Sequence, residues 1–181
     1  MKIHNEFTVP VPPPQAWTML MDVPRIARCA PGARLLEQSE DGAYVGTISV
    51  KLGPVLLNFK GKLIYKEVDE ANHRVLAEAG GSETKARGSA QASVAFVLVD
   101  AAEGTRVLVD TDVQLAGSIA QYGRGAALIQ NTAQVIMNEF ARNFAAQLKS
   151  QDDAEGDAPD SAKPISGLKV LLHGVRNTIK G

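Results

Sequence analysis

The sequence predicts an α+β fold in which a curved antiparallel sheet wraps around one long C-terminal helix. Successive segments between residues 43 and 115 alternate apolar and polar side chains with period two, the mark of an antiparallel sheet with one wet face. Roughly Ser118 to Lys149 then repeats apolar residues at helical spacing, a stripe about 45 Å long at ~1.5 Å per residue. No other element is large enough to cover the sheet's apolar face.

The elements follow in order. Residues 2–9 alternate through Ile3, Phe7 and Val9 and read as a strand. Pro10 to Pro14 end it, and Pro13 and Pro14 fit the first turn of a helix. That helix runs through Ala16, Trp17, Leu20 and Met21 until Asp22-Val-Pro24, and a second short one spans Arg25 to Ala30 before Pro31-Gly32. Strands follow over 43–52, 55–66, 73–79, 84–99 and 106–115. Val107, Val109, Thr111, Val113 and Leu115, for example, alternate with Asp110, Asp112 and Gln114. Glu40-Asp-Gly42, Asp69-Glu-Ala-Asn72 and Glu103-Gly104 are turns of meander length. Tyr122, Ala126, Ile129, Ala133, Ile136, Phe140, Phe144 and Leu148 form the stripe of the long helix. A sheet wrapped around one helix encloses volume, and Gly46, Gly61 and Ala92 on the apolar face are expected to leave part of it unfilled.

Charge divides the chain into three pieces. Residues 1–149 carry no net charge, residues 150–164 carry −4 and residues 165–181 carry +3, within a chain of net −1. The first piece is large enough for one real core. The second has two prolines and no large apolar residue, so it reads as a flexible acidic linker reaching on the order of 20 Å. In the third, Ile165, Leu168, Leu172, Val175 and Ile179 make one apolar stripe of a helix, with Lys169, His173, Arg176 and Lys180 opposite. Such a segment, about 25 Å long, suits the surface of an anionic bilayer and is too charged to span it. The bland alternative is a last helix docked on the protein's own core.

Composition excludes several classes. A neutral body carries no electrostatic footprint for nucleic acid. Cys29, the single cysteine, rules out an internal disulfide and a multi-cysteine metal site and fits a reducing cytoplasm. No signal peptide or transmembrane stretch is visible, so a peripheral place on the inner face of the cell membrane is expected. Catalytic signatures are missing too: the sequence has no G-x-S-x-G, no H-E-x-x-H and no clustered His/Cys. His4, His73 and His173 lie far apart and read as surface histidines. Asp110 and Asp112 share the polar face of one strand, and Lys60, Lys62 and Lys66 form a wet sheet face that could also meet anionic lipid. Cys29 reads as a small buried hydrophobe. Gly123-Arg-Gly125 lacks the context of a phosphate loop. An apolar interior without catalytic groups points to binding rather than turnover.

Several stretches together resemble a known family. They are Ala16-Trp17 through Leu20, Asp22 to Cys29-Ala-Pro31-Gly32, and Leu52-Gly53-Pro54-Val55 through Phe59-Lys-Gly61-Lys62. Further along come Ala86-Arg87-Gly88-Ser89-Ala90, Gly104-Thr-Arg106-Val107 through Val109-Asp110-Thr-Asp112-Val113, and Gly117 through Ala120-Gln-Tyr122-Gly123-Arg-Gly125. Over residues 1–149 the chain is similar to the G-subunit family of carbon monoxide dehydrogenase, a branch of the helix-grip (START-like, Bet v 1-like SRPBCC) superfamily. Ala30 departs from the pattern, where a bulkier aliphatic residue precedes Pro31-Gly32.

The resemblance implies a non-catalytic partner of a molybdenum-containing hydroxylase of the carbon monoxide dehydrogenase type. It implies two roles, recruitment of the dehydrogenase to the inner membrane and carriage of a lipophilic quinone of menaquinone or ubiquinone type, with no covalent cofactor. The expected pocket is lined by Trp17, Leu20, Ile26, Leu57, Phe59, Phe96, Val109, Val113, Tyr122, Ile129, Ile136 and Phe140, with its mouth near the second short helix. Two other readings stay open: a recruitment adaptor with a packed core, and a cyclase- or dehydratase-type enzyme using Tyr44, Tyr65 or Tyr122.

Overall fold

A computed structural model describes residues 1–85 and 87–156, with side chains through residue 150. The order is β1 (Lys2–Val9), α1 (Pro13–Leu20), α2 (Val23–Cys29), β2 (Ala33–Gln38), β3 (Tyr44–Leu52), β4 (Val55–Asp69), β5 (Arg74–Glu83), β6 (Gly88–Ala101) and β7 (Gly104–Gly117). A 3-10 segment (Ser118–Arg124) leads into α3 (Ala126–Gly156). The strands form one seven-stranded antiparallel sheet in the order β1-β7-β6-β5-β4-β3-β2, so β1 crosses to pair with β7 and the rest is a meander. Met1–Leu148 makes one compact unit.

Local chemistry explains the entry. Pro13 and Pro14 occupy the first positions of α1, and Ala16, Trp17, Met19 and Leu20 turn its buried side to the core. The Asp22 side chain accepts a hydrogen bond from the backbone N–H of Arg25 at 3.1 Å, capping α2, an orphan donor otherwise left to water. Gly32, at φ +76°, ends the turn after α2, where a Cβ would lie 2.4 Å from the Ser49 carbonyl oxygen. Only glycine fits there. Thr105, fully buried, donates from Oγ1 to the Val11 carbonyl at 2.7 Å and ties the β6–β7 turn to the proline segment.

Four details differ from the sequence-based expectation. β2 has no counterpart in it, because Leu35 and Leu36 are adjacent and a bulge between Leu35 and Glu37 breaks the alternation. β5 runs on to Glu83 and β6 begins only at Gly88. The long helix begins at Ala126 rather than Ser118, and it continues to Gly156, past Lys149 and into the acidic segment read as linker. The glycines of the apolar face also have another use. Gly46, Gly61 and Gly81 share one cross-strand row, and a Cβ on Gly61 would stand 2.1 Å from the Gly80 carbonyl oxygen. They let neighbouring backbones press together. Residues 157–181, with the rest of the expected linker and the expected anchor residues from Ile165 to Lys180, lie outside the described residues.

Candidate functional site: a groove between sheet and helix

The interior is divided into two apolar clusters. One packs Val9, Trp17, Leu20, Cys29, Val107 and Val109 against Phe144 and Leu148 of α3. Phe7, Phe140 and Phe144 meet there, edge-on from Phe7 with centroids at 5.7 and 6.3 Å, and stacked between the other two at 5.8 Å. The second cluster holds Ile3, Leu52, Leu57, Ile119 and Ile129. Between them the inward-facing Tyr44, Ile48, Leu63, Ala79, Ala92 and Thr111 are only half-buried, although they lie on the core side of the sheet. Water reaches the middle of the grip.

The expected pocket residues fall on both sides of that gap. Trp17, Leu20 and Val109 belong to the first cluster, with Ile26, Phe96 and Phe140 half-buried against it. Leu57 and Ile129 belong to the second, with Phe59, Val113 and Tyr122 against it. Ile136 stands apart and lines a groove of about 390 Å³ with Pro31, Gly32, Ser49, Val50, Lys51, Asn131, Thr132, Val135 and Glu139. That volume lies at the small end of the range for ligand sites. The groove opens where β2 is too short to flank the end of β3: Ser49 N–H bonds to the Gly32 carbonyl at 3.0 Å, and β2 pairs β3 only as far as Ile48. Apart from Ile136, nothing in the sequence singles these residues out as lining, since they come from a turn, a strand edge and a helix far apart in the chain.

Tyr44 stands at the other end of β3. The Tyr44 and Tyr65 rings meet edge-on, with centroids 6.3 Å apart. Burial, and then the neighbouring Tyr44, push the Tyr65 phenol up to about 12. Glu83 is a buried carboxylate that no motif in the sequence marks; Oε1 accepts from the Asn58 N–H at 3.0 Å and Oε2 from the Lys85 N–H at 2.7 Å. Its role is to hold the start of the β5–β6 loop. Burial raises the Cys29 thiol despite nearby Arg25 and Arg28, and Sγ lies 3.6 Å from the Arg25 carbonyl. His4 pairs with Asp110 on the exposed sheet face. His73, expected at the surface, is half-buried instead, its ring 5.2 Å from that of Trp17. Among the described residues no group of acidic, His or Cys side chains could hold a metal ion, and no helix is long and apolar enough to cross a membrane.

A bent antiparallel sheet closed by a long C-terminal helix, packed at both ends and accessible between them, defines a START-like, helix-grip domain. Solved structures share this fold. A conserved protein from Geobacillus kaustophilus is 14% identical with a TM-score of 0.67, covering 83% of this chain and 96% of its own. The Zhui aromatase/cyclase from Streptomyces sp. R1128 is 13% identical at 0.60, covering 86% and 98%. A START superfamily protein from Mycobacterium smegmatis is 12% identical at 0.53, covering 83% and 98%. Within this fold the chain belongs to the CoxG family, the G subunit of carbon monoxide dehydrogenase, whose profile matches residues 6–149. Comparison with curated proteins found no match.

Proposed function

We propose that this chain is a non-catalytic accessory protein of a molybdenum-containing, carbon monoxide-type dehydrogenase. In this reading it tethers the enzyme to the inner face of the membrane and carries a lipophilic quinone between lipid and enzyme. The match of residues 6–149 to the CoxG family carries it. The accessible middle of the grip supports the ligand, and the amphipathic pattern of residues 165–181 supports the tether.

The chemistry asked of the chain is binding and release. Val50 and Ile136 offer apolar walls at the groove, and the half-buried Tyr44 and Tyr65 bring phenol donors to an interior otherwise poor in them. Each methylene-sized unit of a quinone tail gains ~0.8 kcal/mol on leaving water. The ligand starts in lipid, however, so its net gain on entering the protein is small and exchange stays reversible. A shuttle needs that reversibility. Electron chemistry belongs to the dehydrogenase and the quinone; the chain's part is to hold the quinone in an apolar space and deliver it.

Solvent extraction and mass spectrometry of the chain purified from membranes containing quinone test the ligand directly. A stoichiometric quinone in the extract is expected. An extract free of quinone and other lipophilic molecules would leave the recruitment role alone.

A further inference from the structure

The neutral body is electrically polarised. The β3–β4 hairpin, the β5–β6 loop and the 3-10 segment before α3 all lie at one end of the sheet, as the antiparallel register requires. That end carries the exposed cations Lys51, Lys60, Lys85, Arg87 and Arg124. The acids on this side are Glu83, which is buried and bonded to the chain, Asp112, which pairs with the Met1 N-terminus at 3.0 Å, and Glu139, farther along α3 in the groove wall. The opposite end holds the other turns, with Glu40 and Asp41, Asp69 and Glu70, and Asp100 and Glu103. Summed charge conceals this separation, and it orients the body in a field.

Three of the five large apolar side chains exposed among the described residues lie toward the basic end, while Leu36 and Val68 lie elsewhere. Leu56, Leu128 and Val135 are 59%, 38% and 62% exposed. Leu56 is the register partner of Lys51, Lys51 and Val135 both line the groove, and Leu128 Cδ2 comes within 4.0 Å of the Cβ position of Gly53 at the hairpin tip. Scattered exposed aliphatics are ordinary on soluble proteins. Here Val135 lines the groove, Leu128 meets the hairpin tip and Leu56 flanks it as the register partner of Lys51, among cations that make no ion pair with a described residue. Aliphatic knobs among cations match an anionic bilayer, where methyl groups sink below the headgroups and ammonium groups meet phosphate.

We propose that this pole, formed by the β3–β4 hairpin, the start of α3 and the groove between them, docks directly on anionic phospholipid, so that the groove opens into the bilayer. The inference rests on the membrane reading above and adds a face of the body to it. The acidic pole then points away from the membrane, repelled by the same headgroups.

Full-length chains with Val135→Cys, Leu128→Cys or, on the opposite edge of the sheet, Glu6→Cys can each carry an environment-sensitive fluorophore. Cys29 is fully buried and stays unlabelled. With phosphatidylglycerol/phosphatidylcholine vesicles, labels at 135 and 128 should shift to the blue and brighten severalfold while the label at 6 does not respond. Lys51→Glu with Arg124→Glu should loosen vesicle binding at least ~10-fold, given the headgroup attraction of each cation. Sedimentation of the chain with vesicles while the labels at 135 and 128 stay silent would overturn this face and leave the tether standing. Failure of the full chain to sediment would overturn both. A shift caused by the purified dehydrogenase and not by vesicles would also overturn it, assigning the face to a protein partner.

Discussion

Asn143 on α3 donates a hydrogen bond from Nδ2 to the backbone carbonyl of Cys29, the last residue of α2, at 2.9 Å. It joins the long helix to the short ones beside the cluster of Phe144 and Leu148, so the packed end of the grip is pinned by a directional contact as well as by burial. Asn143→Ala should lower unfolding stability by about 1 kcal/mol, the usual net worth of such a bond, measured by urea denaturation. An unchanged midpoint would mean that water replaces the amide without loss.

The close approach of β4 and β5 depends on glycine at position 61. Gly61→Ala places a methyl group against the Gly80 carbonyl and the Gly81 Cα, at 2.1 and 2.6 Å, and neither is a flexible side chain that can yield. A loss of about 1–3 kcal/mol is expected, the usual scale of overpacking, read from thermal or urea unfolding. Gly42→Ala makes the contrast: its φ of +80° is strained but nothing lies within 4 Å of the new atom, so its smaller loss reports backbone conformation alone.

Alkaline pH should destabilise the body through Tyr65. Its phenol is held near 12 from an ordinary value of 10, so between those values the unfolded chain releases a proton that the folded one keeps. Stability conferred by the raised value is complete below about pH 10 and is lost as pH rises towards 12. Cys29, raised by burial, acts in the same direction from about pH 9. Phenolate absorbance of the folded protein should include a late-titrating component, which Tyr65→Phe removes.

Most of the fold was legible in the sequence, and the reasons are specific. Val107 to Leu115 alternates cleanly because one side of β7 is core and the other is water, so period two survives in the letters. β2 was illegible because Leu35 and Leu36 are consecutive and a bulge between Leu35 and Glu37 breaks the period-two alternation. The site was less legible than the fold. Trp17, Leu20 and Val109 are apolar and inward, but that criterion does not separate a solid cluster from a ligand's wall, and the structure gathers these three into the packed end. The groove joins Gly32, Lys51 and Val135, which no periodicity connects. The charge polarity was hidden by the body's net charge of zero, since it depends on which turns share an end of the sheet.

Tethering is expected to reside in residues 165–181. Their deletion should release the chain from anionic vesicles in a sedimentation assay while circular dichroism of the body is retained. Reversal of Lys169, Arg176 and Lys180 to Glu should do the same, at ~1 kcal/mol for each cation near such a surface. Equal binding with and without the segment would assign attachment wholly to the body.

Carriage of quinone by the grip is the central claim, and dehydrogenase-driven quinone reduction in liposomes tests it most directly. The comparison sets the intact chain against the tail deletion and against Ala133→Trp, which fills space on the inner side of α3 beside the second cluster, once its folding has been verified. A carrier loses rate in both variants, and that is the result predicted here. Full rate with Ala133→Trp, together with loss in the tail deletion, would contradict carriage and leave a protein that only recruits its enzyme to the membrane.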